Sequence, residues 1–180
     1  SWLREMITDL GITSIFVTHD QDEAIEVADE IIITNRGKIE QKGTPLEVYQ
    51  NPQTAFTASF FGQTSIVEDY RKLNYFEPIN GATRAIVRPE FVRITKKNEN
   101  QIYKHSAMEG VVERVAFRGN NLELKVRIED MVLTAKRGLE EPPVAEGEIV
   151  DVFVYKLFVI NGNQAVLLQN SSIHEESLVI

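Results

Sequence analysis

Apolar and polar positions change period along this 180-residue chain, helical in the first third and strand-like from residue 85 onward. Trp2, Leu3, Met6, Ile7 and Leu10 recur at helical spacing, and Gly11 stands where a C-terminal cap belongs. This predicts an amphipathic helix with Trp2 in its core stripe. Ile12 to Thr18, centred on the apolar run Ile15-Phe16-Val17, reads as a buried strand that puts Thr18 and His19 at its carboxyl end. Asp20 follows as an N-cap with Glu23 three residues on. Ala24, Val27, Ala28 and Ile31 then form a second stripe, while Asp22, Glu23, Glu26 and Glu30 face water. The predicted unit is strand, His19-bearing turn, helix, strand.

Ile31 to Thr34 and Lys38 to Gln41 predict a hairpin through Asn35-Arg36-Gly37, with Gly37 supplying positive φ. Thr44-Pro45-Leu46-Glu47 is a helix start with Thr as N-cap, Pro at the first turn and Glu at the third position. Another helix follows Asn51-Pro52, with Phe56 and Phe60 on one side and Gly62 at its end. Residues 63–82 mix polar and breaker residues without a sustained period and read as a linker. Beyond them, strands are expected at Ala85–Arg88, Phe91–Ile94, Gly110–Phe117, Leu122–Ile128, Met131–Lys136, Glu148–Tyr155, Leu157–Ile160 and Gln164–Leu168. Leu122 to Ile128 alternates strictly, so one face is apolar and the other charged. Many short strands separated by turns predict a small barrel of the oligonucleotide/oligosaccharide-binding (OB) type over residues 83–170, with a tail at 171–180.

Charge is divided unevenly: residues 1–70 hold 4 Lys/Arg and 12 Asp/Glu, whereas residues 71–180 hold 15 of each. Neither part is basic enough to favour nucleic acid by neutralising phosphates. Cysteine is absent, which excludes disulfides and thiolate metal sites. The most apolar stretch, Val150 to Ile160, carries Asp151 and Lys156 and is too short to span a bilayer. No apolar leader is visible at Ser1-Trp2-Leu3-Arg4.

A lone histidine at a strand end is ordinarily a cap or surface residue, but the surroundings of His19 are more specific. The run Phe16-Val17-Thr18-His19-Asp20-Gln21-Asp22-Glu23-Ala24, with Ala28-Asp29, Gly37-Lys38-Ile39, Gly43-Thr44-Pro45, Val48-Tyr49 and Asn51-Pro52 downstream, resembles the switch-histidine region of ATP-binding cassette (ABC) transporter ATPases. Ile86-Val87-Arg88-Pro89-Glu90-Phe91-Val92, with Gly110-Val111-Val112-Glu113 and Phe117-Arg118-Gly119, resembles the regulatory (TOBE/OB-like) domain appended to oxyanion- and sugar-importing members. Trp2-Leu3-Arg4 and Arg118-Gly119 resemble the sulfate branch. On residues alone, Arg88 and Arg118 are read as solvated hairpin charges.

The resemblance implies an α+β chain: residues 1–62 the last part of an α/β nucleotide-binding domain, then the linker and the small all-β barrel. It implies that His19 contacts the γ-phosphate of ATP in a closed dimer of the intact protein. The same resemblance implies ATP and magnesium as the parent's cofactors, and permease subunits plus a second ATPase copy as partners. It also implies a cytoplasmic location at the inner face of the membrane. The string Gly-x-x-x-x-Gly-Lys-Ser/Thr does not occur here, nor do the signature loop and the magnesium-positioning strand. The isolated chain is therefore expected to bind no ATP, metal or other cofactor and to hydrolyse nothing. The alternative reading is a stand-alone β domain that binds an oxyanion such as sulfate or molybdate.

Overall fold

The structure is a computed structural model that describes residues 2–99 and 102–173. It divides into two compact units, Ser1–Phe61 and Gly62–Ile180. In the first unit, α1 (Trp2–Leu10) is followed by α2 (Gln21–Val27), a hairpin of β1 (Ile31–Asn35) and β2 (Lys38–Gly43), then α3 (Pro45–Gln50) and α4 (Ala55–Phe60). Arg36 and Gly37 both take positive φ (49° and 76°), the combination a two-residue hairpin turn requires. Thr44 and Glu47 form the reciprocal capping box: the Glu47 N–H donates to Thr44 Oγ1 (3.3 Å), and the Thr44 N–H donates to Glu47 Oε2 (3.0 Å). The Thr44 backbone N–H, and after it the Thr44 hydroxyl donating to Glu47 Oε2 (2.9 Å), hold the Glu47 carboxyl below the usual glutamate range. The core of this unit is Ile31, Ile33, Val48 and Phe61, with Ala24, Ala28, Tyr49, Phe56 and Phe60 packed against it.

Two expectations fail in this unit. Residues 12–18 form no strand, and Ile15 and Val17 are 93% and 92% exposed. A strand needs a neighbour to accept its N–H groups, and among the described residues none lies alongside this segment. Likewise α1 buries no side chain, and Trp2 stands exposed rather than in a core stripe. What anchors α1 is polar: Arg4 Nη1 donates to the Val27 carbonyl (2.9 Å) and Nη2 to Asp29 Oδ1 (2.7 Å).

The second unit is β-rich, so the whole chain is α+β. Strands β3 (Ser65–Val67), β4 (Ala85–Val87), β10 (Lys156–Asn161) and β11 (Gln164–Gln169) form one sheet in the order β11-β10-β4-β3. The other sheet holds β5 (Val92–Lys96), β6 (Met108–Phe117), β7 (Asn121–Ile128), β8 (Met131–Gly138) and β9 (Ile149–Val154), in the order β5-β9-β6-β7-β8. Every ladder is antiparallel. Strands β5 and β8 come alongside each other without a ladder, which makes this sheet a partly open, OB-like five-stranded barrel. Its interior is lined by Ile94, Val112, Leu124, Val126, Leu133 and Val152, all buried. Gly110 is needed on β6 because a Cβ there would lie 2.8 Å from Val126 and 2.9 Å from Val152.

The segment expected to be a linker is part of this unit. Val67, Tyr70, Leu73 and Phe76 are buried, and the Tyr70 hydroxyl accepts from the Ile79 N–H (2.6 Å). Strand β3 is tied to β8 where the Thr134 N–H donates to Ser65 Oγ (2.8 Å). In the expected tail, Ser171 Oγ donates to the Tyr75 carbonyl (3.1 Å) and Ser172 is buried, so chain order continues past β11. The remainder of that tail, residues 174–180, lies outside the described residues.

One side chain closes the barrel seam. Arg137, on β8, has a side chain 1% exposed. Its Nη1 donates to the Ile94 carbonyl of β5 (2.8 Å), and its Nε and Nη2 donate to the Pro142 carbonyl (3.1 and 2.9 Å). The same guanidinium is paired with Glu99 and, at 3.3 Å, with Glu141. Burial pushes the Glu99 carboxyl up, but the Lys96 N–H and the Arg137 guanidinium outweigh it and leave it lower than an ordinary glutamate.

Removing Arg137 takes the guanidinium from two carbonyls and two carboxylates at a buried seam, so Arg137→Ala is expected to cost the second unit about 3–5 kcal/mol, measured by urea unfolding. A carboxylate held below its unfolded pKa stabilises the fold fully above about pH 4.3 and loses that contribution as pH falls through the lower folded value. The thermal midpoint of the wild-type chain should therefore fall more steeply on acidification below that point than the midpoint of Glu99→Gln.

Candidate functional site

The residue marked by sequence, His19, lies in a bend between the unpaired segment 12–18 and the start of α2, and it is exposed. The turn is shaped locally. The Asp20 N–H donates to Thr18 Oγ1 (2.9 Å), and the Glu23 N–H donates to Asp20 Oδ1 (3.0 Å), which caps α2. Thr18 and Asp20 thus fix the backbone on both sides of His19 while its imidazole faces outward. A neutral imidazole so presented has one ring N–H to donate to an anionic oxygen.

The acidic residues Asp22, Glu23 and Glu26 lie on α2, which follows the turn. Among the described residues, no group of three or more His, Cys, Asp or Glu could hold a metal ion. No described helix is long and apolar enough to cross a membrane.

In the second unit the two arginines singled out by sequence behave differently. Arg88 is not a solvated charge: it is 1% exposed, and its guanidinium carbon lies 4.9 Å from the centre of the Phe158 ring and 5.9 Å from that of Phe91. Two aromatic faces in a buried setting replace part of the lost hydration of the cation. Arg118, at the tip of the β6–β7 hairpin, is half exposed and paired with Glu123 at 2.8 Å. Arg88 and Arg118 therefore have structural neighbours already. Sequence reasoning missed Arg137 altogether, because the expected strand stopped at Lys136, whereas β8 runs to Gly138 and Arg137 sits at an inward-facing place in it. A second unmarked feature is a ring cluster at the end of β9: Tyr103, between β5 and β6, stacks on Phe153 (4.2 Å, 8°), and Tyr155 meets both edge-on. Burial raises the pKa of Tyr155 within that cluster.

Comparison with known proteins places these features. Residues 85–154 match the TOBE domain. The spermidine/putrescine import ATP-binding protein PotA of Clostridium novyi (strain NT) is 39% identical over 143 residues, covering 71% of this chain and 39% of that protein. The sulfate/thiosulfate import ATP-binding protein CysA of Synechocystis sp. is 37% identical over 138 residues, covering 72% of this chain and 37% of that protein. A solved structure of the cytoplasmic molybdate-binding protein ModG overlays at a TM-score of 0.36 with 16% identity, over 54% of this chain and 67% of that one, too distant to speak to ligand. The second unit thus carries a TOBE domain, and the chain is a relative of the ATPases of ABC importers. It spans only 39% and 37% of the length of these two relatives.

The Asp20 cap sets the shape of the His19 turn. Asp20→Ala is expected to destabilise α2 by about 1 kcal/mol. Hydrogen exchange at the amides of Glu23 to Val27 should then accelerate several-fold while the barrel amides are unchanged.

Proposed function

We propose that this chain corresponds to the C-terminal portion of the ATP-hydrolysing subunit of an ABC importer. The relation to import ATP-binding proteins over 71% of the chain is the observation that carries this reading. In the intact subunit, His19 donates a hydrogen bond to the γ-phosphate of ATP, with magnesium bound by residues elsewhere in that subunit. Support comes from the exposed imidazole and the backbone held on both sides of it. A single donor in a preorganised site can separate reactive from unreactive geometries by two or three orders of magnitude, although it supplies little affinity alone. The subunit works as a pair of copies on permease subunits, at the cytoplasmic face of the membrane, and the TOBE domain has a regulatory role.

Both a sulfate-type and a polyamine-type importer stand among the relatives. The sulfate reading is supported by Trp2-Leu3-Arg4 and Arg118-Gly119, and the polyamine reading by the 39% identity to a spermidine/putrescine importer subunit. Binding of an oxyanion directly to the β domain is the second reading. It gains less support, since Arg88 lies against aromatic rings and Arg118 is paired with Glu123.

Grafting this chain in place of the matching region of a spermidine/putrescine or sulfate import ATP-binding protein tests the proposal. The graft should hydrolyse ATP, and His19→Ala in it should lower kcat by about 10²-fold or more with little change in KM. An inactive but folded graft, or an unaffected His19→Ala graft, would overturn it. The ungrafted chain should give no heat on titration with magnesium-ATP.

A further inference from the structure

We propose that the outward face of β6, β7 and β8 is a docking surface for a separate protein that presents an acidic segment, received by Arg114, Lys125 and Lys136. This inference goes beyond the transport reading and does not depend on which solute is carried.

The register decides which side chains share this face. Across β6 and β7, Arg114 lies opposite Lys125 and Ala116 opposite Glu123; across β7 and β8, Lys125 lies opposite Thr134 and Glu123 opposite Lys136. Leu124 and Val126 of β7 and Leu133 and Ala135 of β8 are buried in the barrel, so the residues between them point outward. On β6, plain alternation would send Arg114 inward with Val112. An irregularity in the ladder between Val112 and Arg114 inserts Glu113 as an extra residue, and this bulge turns Arg114 onto the outer face beside Lys125. Arg114, Lys125 and Lys136 are all exposed.

Two cations directly opposite each other work against a sheet, and here no neighbour relieves them. The face carries two carboxylates, and both are engaged: Glu113 is paired with Arg127, and Glu123 with Arg118 at 2.8 Å. Among the described residues no carboxylate lies within ion-pair reach of Arg114, Lys125 or Lys136. The face is therefore positive in a chain whose net charge is −8. A bulge that sets one cation against another does nothing for the fold, and an anionic partner gives the arrangement a use.

Spacing and surroundings select the partner. Arg114 and Lys125 stand on adjacent strands about 5 Å apart, and Lys136 is the diagonal neighbour of Lys125 at about 7–8 Å. One small oxyanion cannot meet all three, whereas carboxylates on alternate residues of an extended segment recur about every 7 Å and match the row. The outward positions of the three strands hold no aromatic ring on which a base could stack. Their apolar residues, Val111, Ala116 and Val132, are too short to enter a bilayer. The acids of this chain's own first 70 residues are largely engaged: Asp29, Glu30, Glu68 and Asp69 are paired with Arg4, Lys42, Arg84 and Arg71, and Glu47 is held in its capping box. The occupant is a separate acidic protein.

A fluorescein-labelled peptide of alternating Glu and Thr is the probe, titrated with the full chain at low salt and followed by fluorescence anisotropy. Binding should saturate and fade as salt is raised. The triple variant Arg114→Gln, Lys125→Gln, Lys136→Gln should weaken it by about tenfold or more, Glu113→Gln should tighten it, and Lys104→Gln, an exposed cation in the β5–β6 connection, should leave it unchanged. Lys125→Glu sets opposite charges across β6 and β7, so it should abolish binding while raising the thermal midpoint by about 1–4 °C. Each of the following would overturn the proposal: no saturable binding, an unaffected triple variant, equal weakening by Lys104→Gln, or a lower midpoint in Lys125→Glu. Tighter binding of single-stranded DNA or of phosphatidylserine vesicles than of the peptide would overturn it as well.

Discussion

A β-strand presents its hydrogen-bonding groups at its two edges, and each edge must be paired, covered or left to water. In the second unit the barrel would end in two bare edges at β5 and β8. The Arg137 side chain spans that gap from β8, reaching the Ile94 carbonyl of β5 and the Glu99 carboxylate just beyond that strand, with Glu141 on its own side. Burying a guanidinium is costly, and here the cost is offset only because its donors reach the Ile94 and Pro142 carbonyls and the carboxylates of Glu99 and Glu141. The seam is thus held by a side chain where a sixth strand would otherwise be required.

The same constraint explains the first unit. Residues 12–18 have the apolar pattern of a central strand, yet Ile15 and Val17 lie in solvent and the backbone runs without a ladder. Helix α1 buries no side chain fully, and Arg4 ties it to Val27 and Asp29. His19 follows directly, so the residue proposed to contact phosphate is carried by a turn whose capping is local and which is preceded by an unpaired segment. The capped turn and the pairing that a strand at 12–18 would need are separable properties, and only the first is encoded in neighbouring residues.

That separation also describes how much of the fold and site was legible in the sequence. Local chemistry read well: the Asn35-Arg36-Gly37 turn, the Thr44–Glu47 box, the Asp20 cap and the strict alternation of Leu122 to Ile128 all appear where expected. Features set by partners distant in sequence did not. Residues 63–82 read as a linker because their anchors, Val67, Tyr70, Leu73 and Phe76, recur every third residue, a spacing that belongs neither to a strand nor to a helix stripe. Arg88 read as solvated because the Phe158 ring that receives it lies seventy positions on. Arg137 could have been flagged by its place, since in the β8 alternation it falls on the inward side with Leu133 and Ala135.

The account's central claim is that the barrel of the second unit closes its own seam through Arg137, while the apolar segment 12–18 of the first unit runs with no described strand beside it. Native-state hydrogen exchange on the intact chain measures this most directly. Amides of Leu124, Val126, Leu133 and Val152 should exchange only through global unfolding of their unit, and those of residues 12–18 should exchange almost as fast as an unfolded peptide. Strong protection across residues 12–18 in the free chain, or rapid exchange throughout the barrel strands, would contradict it.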